Sequence, residues 1–229
     1  MTFPSSEIWL ALPEIYLTAA LCVVLLFDLF FATKNPGRTA TFTLLVLVVG
    51  AVLASRQVIG GRQVILGGMY VVDQLSALLK TGGFLFAAMA LFYSRNYLAR
   101  RGIQKGEYYV LSLTALLGVL VLASAANLIT VYVGIELLAL SAYAIVAFDR
   151  DSGVGAEAAM KYFVLGAIGS GTLLYGMSIL YGMTGTLDLG ALTARLGGDP
   201  GLGFTLAVAF IVAALAFKFG AVPFHMWVP

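Results

Sequence analysis

Long apolar runs separated by short polar connections dominate the chain. A membrane-crossing helix needs about 20 mostly apolar residues. Seven segments qualify: Ala11 to Ala32, Thr39 to Ala54, Val72 to Tyr93, Tyr109 to Ser124, Leu128 to Phe148, Ala158 to Gly182, and Gly203 to about Trp227. None shows the alternating polarity over about ten residues that marks a strand of a membrane barrel. The pattern predicts an all-α, polytopic transmembrane helix bundle. The first segment reads as a span rather than a signal peptide, because no basic residue precedes it before Lys34 and it is too long for that role.

Composition agrees. Of 229 residues, 61% are hydrophobic and 10% charged, with a mean hydropathy of +1.00. Soluble domains run at about 45–50% apolar and about 25% charged. So much apolar surface exceeds what one globule of this size hides, which leaves lipid as the solvent. One cysteine, Cys22, excludes a disulfide framework, a zinc–thiolate site and a self-contained iron–sulfur cluster. One histidine, His225, excludes a pair of bis-histidine haems. The net charge of +2 gives no nucleic-acid signature, and no P-loop or dinucleotide glycine fingerprint is present. The chain is expected to hold no redox cofactor, nucleotide or metal, and to take no nucleic-acid partner.

Basic residues orient the spans. Lys34, Arg38, Arg95, Arg100, Arg101, Lys105 and Arg150 fall on one side, and Arg56, Arg62 and Arg195 on the other. The asymmetry predicts an external N-terminus and a cytoplasmic Arg95–Glu107 loop. Three basic residues remain inside predicted helices: Lys80, Lys161 and Lys218. Glu136 lies well inside the fifth helix, while Glu14 and Asp28 lie nearer the ends of the first. A charge in hydrocarbon costs from about 2.5 to over 10 kcal/mol, so each must find a partner or water.

Glu136 stands about 12 Å into its helix at 1.5 Å per residue, too deep to reach the interface. It reads as a proton-exchanging carboxyl, against the plainer reading of a neutral acid gluing two helices. Lys218 lies in Phe217-Lys218-Phe219-Gly220-Ala221-Val222-Pro223, with no acidic residue in its own segment. Pro223 lacks a donor and obstructs the carbonyl four residues back. The seventh helix should therefore break just after Lys218 and leave carbonyls unpaired, a backbone form tolerated at membrane depth only around water or within protein. Lys161 sits about one predicted turn into the sixth helix and can pair with Glu157 in the favourable i,i+4 order. Lys80 reads as a snorkelling or locally paired lysine. His225 stands alone after the break and reads as an interfacial group, although histidine as a residue type suits proton exchange near neutral pH. Gly166, Gly169, Ser170 and Gly171 read as a close-approach face.

These residues carry a resemblance. The run Glu157-Ala-Ala-Met-Lys161-Tyr-Phe-Val-Leu-Gly166-Ala-Ile-Gly-Ser, then Leu174-Tyr175-Gly176, Tyr181-Gly182-Met-Thr-Gly185-Thr, and Phe217-Lys218-Phe-Gly-Ala-Val-Pro223-Phe-His225-Met-Trp227-Val-Pro229, is similar to the antiporter-like proton-pumping subunits of respiratory complex I. The opening Pro13-Glu14-Ile15 is similar too, and within that family the resemblance is to the N-type subunits of the bacterial NADH–quinone oxidoreductase. The resemblance implies fourteen helices around two inverted five-helix repeats, each with one broken helix. Residues 1–100 would then hold helices 1–3. Residues 101–229 would hold most of the first repeat, with the chain ending before the second.

The resemblance further implies that Glu136 and Lys218 form the mid-membrane proton-transfer pair, with Lys161 and His225 matching further proton-transfer positions. Nothing in it extends to Lys80. It places NADH, FMN, iron–sulfur clusters and quinone in partner subunits, gives other membrane-arm subunits as partners, and puts the protein in a bacterial inner membrane. Two rivals stand beside it: a subunit of a multisubunit Na⁺/H⁺ antiporter, and a structural spacer in a larger assembly.

Overall fold

The structure is a computed structural model that describes residues 5–32, 36–59, 61–195 and 201–227. Lys34, counted above for orientation, and Val228–Pro229, quoted above for the resemblance, lie outside the described residues. The spanning helices are α1 (Leu12–Phe27, continuing through a π-helical turn at Asp28–Ala32), α2 (Pro36–Ser55), α3 (Gln74–Arg101), α4 (Gly106–Ala123), α5 (Leu128–Val146), α6 (Gly153–Thr184) and α7 (Gly201–Lys218). Among the described residues, seven helices are long and apolar enough to cross a membrane, as a multi-pass membrane protein requires. Short helices cover Ser5–Leu10 and Leu189–Arg195, and strands β1 (Gln63–Ile65) and β2 (Tyr70–Val72) form an antiparallel hairpin before α3.

Local chemistry sets the helix ends. The Asp73 carboxylate accepts from the Ser76 N–H at 2.7 Å, and the Ser76 hydroxyl accepts from the Asp73 N–H at 2.9 Å, a capping box that starts α3. α3 then runs to Arg101, past the predicted end at Tyr93, and stops at Gly102 in the left-handed conformation. Arg95, Arg100 and Arg101 are therefore helical, with the last two placed favourably at the negative end of the helix dipole. α6 begins at Gly153 behind the Ser152 cap, five residues before the predicted start. Lys161 thus stands over two turns into α6 rather than one.

Two apolar cores result. Leu17, Val24, Leu47, Phe84, Leu113 and Leu120 join α1–α4. Leu128, Leu173, Met177, Ala207 and Ala214 join α5–α7. α4 and α5 link the two regions and meet backbone to backbone: a Cβ on Gly118 would lie 2.7 Å from the Gly134 carbonyl oxygen. Only glycine fits there, and the contact fixes α5 two residues before Glu136. The outer surface is apolar, with Leu45, Val48, Phe86 and Ile168 exposed, as lipid demands.

At one end of the bundle three connections are stitched edge to edge. The Val71 N–H donates to the Ser124 carbonyl at 2.8 Å, and Ala126 N–H to Met69 at 3.1 Å. Leu128 N–H donates to Leu187 at 2.9 Å, and Leu189 N–H to Ala126 at 3.1 Å. The hairpin, the α4–α5 connection and the segment after α6 thus form one strap.

Candidate functional site

Three helices converge on one polar triangle. α5 supplies Glu136, α6 supplies Ser170 and α7 supplies Lys218. The Lys218 ammonium donates to Glu136 Oε1 at 3.1 Å and to Ser170 Oγ at 2.9 Å. The Ser170 hydroxyl donates in turn to Glu136 Oε1. Serine has one donor and two acceptor positions, so it bridges both charges at once. The Lys218 and Glu136 side chains are 15% and 20% exposed, so these helices do not fully enclose the pair. Beside it lies a cavity of about 90 Å³ lined in part by Ala139, Tyr143, Tyr162, Phe217, Lys218 and Trp227, room for a few water molecules.

The end of α7 explains where the ammonium sits. Gly220 takes φ +63°, a left-handed conformation that favours glycine. Its N–H donates to the Phe217 carbonyl at 2.9 Å, and the Ala221 N–H to the Ala216 carbonyl at 2.8 Å. This double closure ends a helix with its last carbonyls satisfied. The expected break falls just after Lys218, and the Trp227 indole N–H also donates to the Phe217 carbonyl at 2.7 Å. Lys218 is the last residue of α7. The partial negative charge at a helix C-terminus favours an ammonium there.

Small residues on α6 make the approach possible. A Cβ on Gly169 would meet the Phe217 ring at 2.8 Å, and one on Gly166 would overlap the Tyr143 hydroxyl. Ser170, between Gly169 and Gly171, is the site residue that the hydropathy pattern assigns only to helix contact. A hydroxyl in a glycine face at mid-span is the signal that marks it. Tyr162 stacks flat on Trp227 with centroids 4.5 Å apart and carries Tyr143 edge-on.

The other predicted site residues lie elsewhere. Lys161 is exposed and pairs with Glu157 one turn before it, away from the triangle. His225 is exposed beyond the break. Lys80 does not snorkel: it is fully buried, 3.0 Å from Glu14 Oε1 on α1. Among the described residues no group of three or more His, Cys, Asp or Glu gathers as a metal site would.

Comparison with known proteins sets this geometry in context. Residues 124–229 match the family described as NADH:quinone oxidoreductase/Mrp antiporter, transmembrane. The NADH-quinone oxidoreductase subunit N of Halorhodospira halophila is 48% identical over 233 residues, covering 100% of this chain and 48% of that protein. A structure of respiratory complex I from Thermus thermophilus holds a chain that matches with a TM-score of 0.77 at 31% identity, over 95% of this chain and 46% of that one. A chain of the Mrp complex from a Dietzia species matches with a TM-score of 0.75 at 24% identity, over 96% of this chain and 43% of that one, a likeness of fold. The chain spans about half the length of the curated relatives it matches.

Proposed function

We propose, for a chain that belongs to the NADH:quinone oxidoreductase/Mrp antiporter transmembrane family, that it is part of a proton-translocating membrane-arm subunit of NADH:quinone oxidoreductase. The observation that carries this reading is the Glu136–Ser170–Lys218 triangle, an ion pair inside the membrane on a helix end and beside a cavity. The chain divides near residue 100 into α1–α3 and a first antiporter-like repeat built from α4–α7. Electron carriers – NADH, flavin, iron–sulfur clusters and quinone – belong to partner subunits, with other membrane-arm subunits as neighbours. The protein lies in a bacterial inner membrane with its N-terminus outside, which the basic asymmetry supports.

The triangle works as a coupled proton holder. With Glu136 ionised and close, the Lys218 ammonium is held by its partner and by the helix end. Burial disfavours a charge and an opposite charge nearby favours it, so separating the pair makes the ammonium release its proton. A rearrangement driven by partner subunits that lengthens the 3.1 Å contact ejects a proton to one side, and re-forming the contact reloads it from the other. Moving one charge against the membrane potential costs about 2.3 kcal/mol per 100 mV.

Lys161 and His225 serve as further transfer groups along this path. Their support is the Tyr162–Trp227 stack, which brings the backbone next to Lys161 alongside the segment that holds His225.

Native purification of the full-length protein with its partners tests the assignment. Flavin, iron–sulfur centres and NADH oxidation in the isolate fit the complex I reading. Apolar partners without flavin or iron, together with sodium-driven exchange, fit a multisubunit Na⁺/H⁺ antiporter, the second reading that the shared family description favours. In either complex Lys218→Ala should abolish transport through this path. Unchanged transport stoichiometry in that variant would make the chain a structural spacer.

A further inference from the structure

A second buried ion pair lies outside the triangle, among the first three helices and the hairpin. Lys80 on α3 is 0% exposed and Glu14 on α1 has 10% of its side chain exposed, with 3.0 Å between Nζ and Oε1. The Lys80 ammonium also sits over the face of Tyr70 on β2, 5.0 Å from the ring centroid. Ser124, at the end of α4, is fully buried beside them. Four elements therefore converge on one charged pocket.

Its hydrogen bonding is unfinished. Among the described residues, both Glu14 oxygens, the Lys80 nitrogen, the Tyr70 hydroxyl and the Ser124 hydroxyl make no properly directed hydrogen bond, although they crowd together. Burial, then the Glu14 carboxylate, holds the Tyr70 phenol protonated far above neutral pH, with Ser124 working weakly the other way. Tyr70 and Ser124 are thus hydroxyl carriers at the pair's edge. Neighbouring acids are engaged elsewhere: Glu7 accepts from the Leu66 N–H and Asp73 caps α3.

An ion pair that serves only as glue saturates its bonds, because each buried polar atom left over is destabilising. Here the leftover capacity is concentrated around one pair, the arrangement that takes up internal water. The chemistry repeats that of the triangle: a glutamate, a lysine and a hydroxyl. We propose that Glu14, Lys80, Tyr70 and Ser124 form a second proton-exchange site that takes up water and hands protons through the two hydroxyls toward the strapped end of the bundle. The pair is neutral at rest. Taking a proton on Glu14 leaves the Lys80 ammonium facing the Tyr70 ring, and losing one from Lys80 leaves the Glu14 carboxylate facing the two hydroxyls. Each half-step moves one proton and no electrons.

This inference rests on the reading that the protein moves protons, and its test separates the two. The double variant Y70F/S124A removes only the hydroxyls and keeps the ion pair and the aromatic ring. It is placed in the full-length protein within its native complex. NADH-driven proton uptake into inverted membrane vesicles is read with a pH-sensitive dye and divided by the electron-transfer rate. E136Q is run alongside. The expected result is a partial loss of protons per electron at normal complex content. Parental protons per electron in Y70F/S124A overturns the inference: with E136Q impaired it fails alone, and with E136Q also parental the transport reading fails too. Should complex content fall in the double variant, Y70F alone is read by the same ratio, where a partial loss supports the inference and a parental value overturns it.

Discussion

The molecule holds two Glu–Lys pairs in two differently built regions. Glu14–Lys80 sits between the first turn of α1 and the second turn of α3, a 28-residue helix. Glu136–Lys218 sits where a helix stops, bridged by Ser170 and flanked by a cavity. Lys80 is wholly buried, whereas the second pair is 15–20% exposed. The same residue types thus meet opposite surroundings. On a continuous helix the ammonium is held in place by the whole helix. On a helix end it rides on a backbone joint, one residue before the Gly220 turn begins to close. The backbone that carries the charge, more than its presence, separates the two regions.

Breaking the first pair from one side should show the largest effect on the protein itself. Lys80→Met strands a buried carboxylate, which costs about 3–5 kcal/mol. The expected outcome is little protein in the membrane and a much lower unfolding temperature in detergent. Adding Glu14→Gln should restore most of that stability, because the leftover charge is gone. Lys218→Ala strands a partly exposed, Ser170-bonded carboxylate instead. Its protein level should stay close to parental while transport is lost, as immunoblots and vesicle assays can compare.

A smaller change sharpens the contrast within the triangle. Ser170→Ala removes a hydroxyl bonded to two charges, and such bonds contribute about 1.5–3 kcal/mol. Proton translocation should slow severalfold with the complex intact, whereas a variant with parental rates would make the serine a spacer. Gly220→Ala tests the joint. A left-handed residue with a side chain costs about 1–2 kcal/mol. The expected result is a modest fall in unfolding temperature together with slower transport. Least of all, Lys161→Gln should leave the unfolding temperature unmoved, since its pair with Glu157 is exposed on the helix surface. A clear drop would show that the pair supports α6.

Much of the architecture was legible from hydropathy, and the places where it was not have physical reasons. All seven spans lie where the apolar runs lie. α3 outran its apolar run because Ser94, Arg95, Asn96 and Arg100 continue the helix beyond the greasy stretch. The hairpin has strands of three residues, too short for any period to register. Within the site, Lys218 and Glu136 stood out as charges in apolar surroundings, and Pro223 and Gly220 marked the break. Ser170 was hidden among glycines, whose small size explained the face on its own. Lys80 read as a snorkelling or locally paired lysine because its partner is on α1, far away in sequence, and only the fold brings Glu14 beside it.

The strap has a mechanical meaning. A book bound along its spine opens only at the fore-edge. Here the binding threads Val71 to Ser124, Met69 to Ala126 and Ala126 to Leu189 through backbone hydrogen bonds. The opposite edge is held in part by an exposed Arg150–Glu107 contact at 2.9 Å, a weak clasp in water. At that same edge residues 147–152 join α5 to α6 directly, so these two helices are tied at both ends, by the strap and by the short connection. The Glu136–Ser170 contact lies between the two ties, where a fraction of an ångström of give is enough to make or break a hydrogen bond.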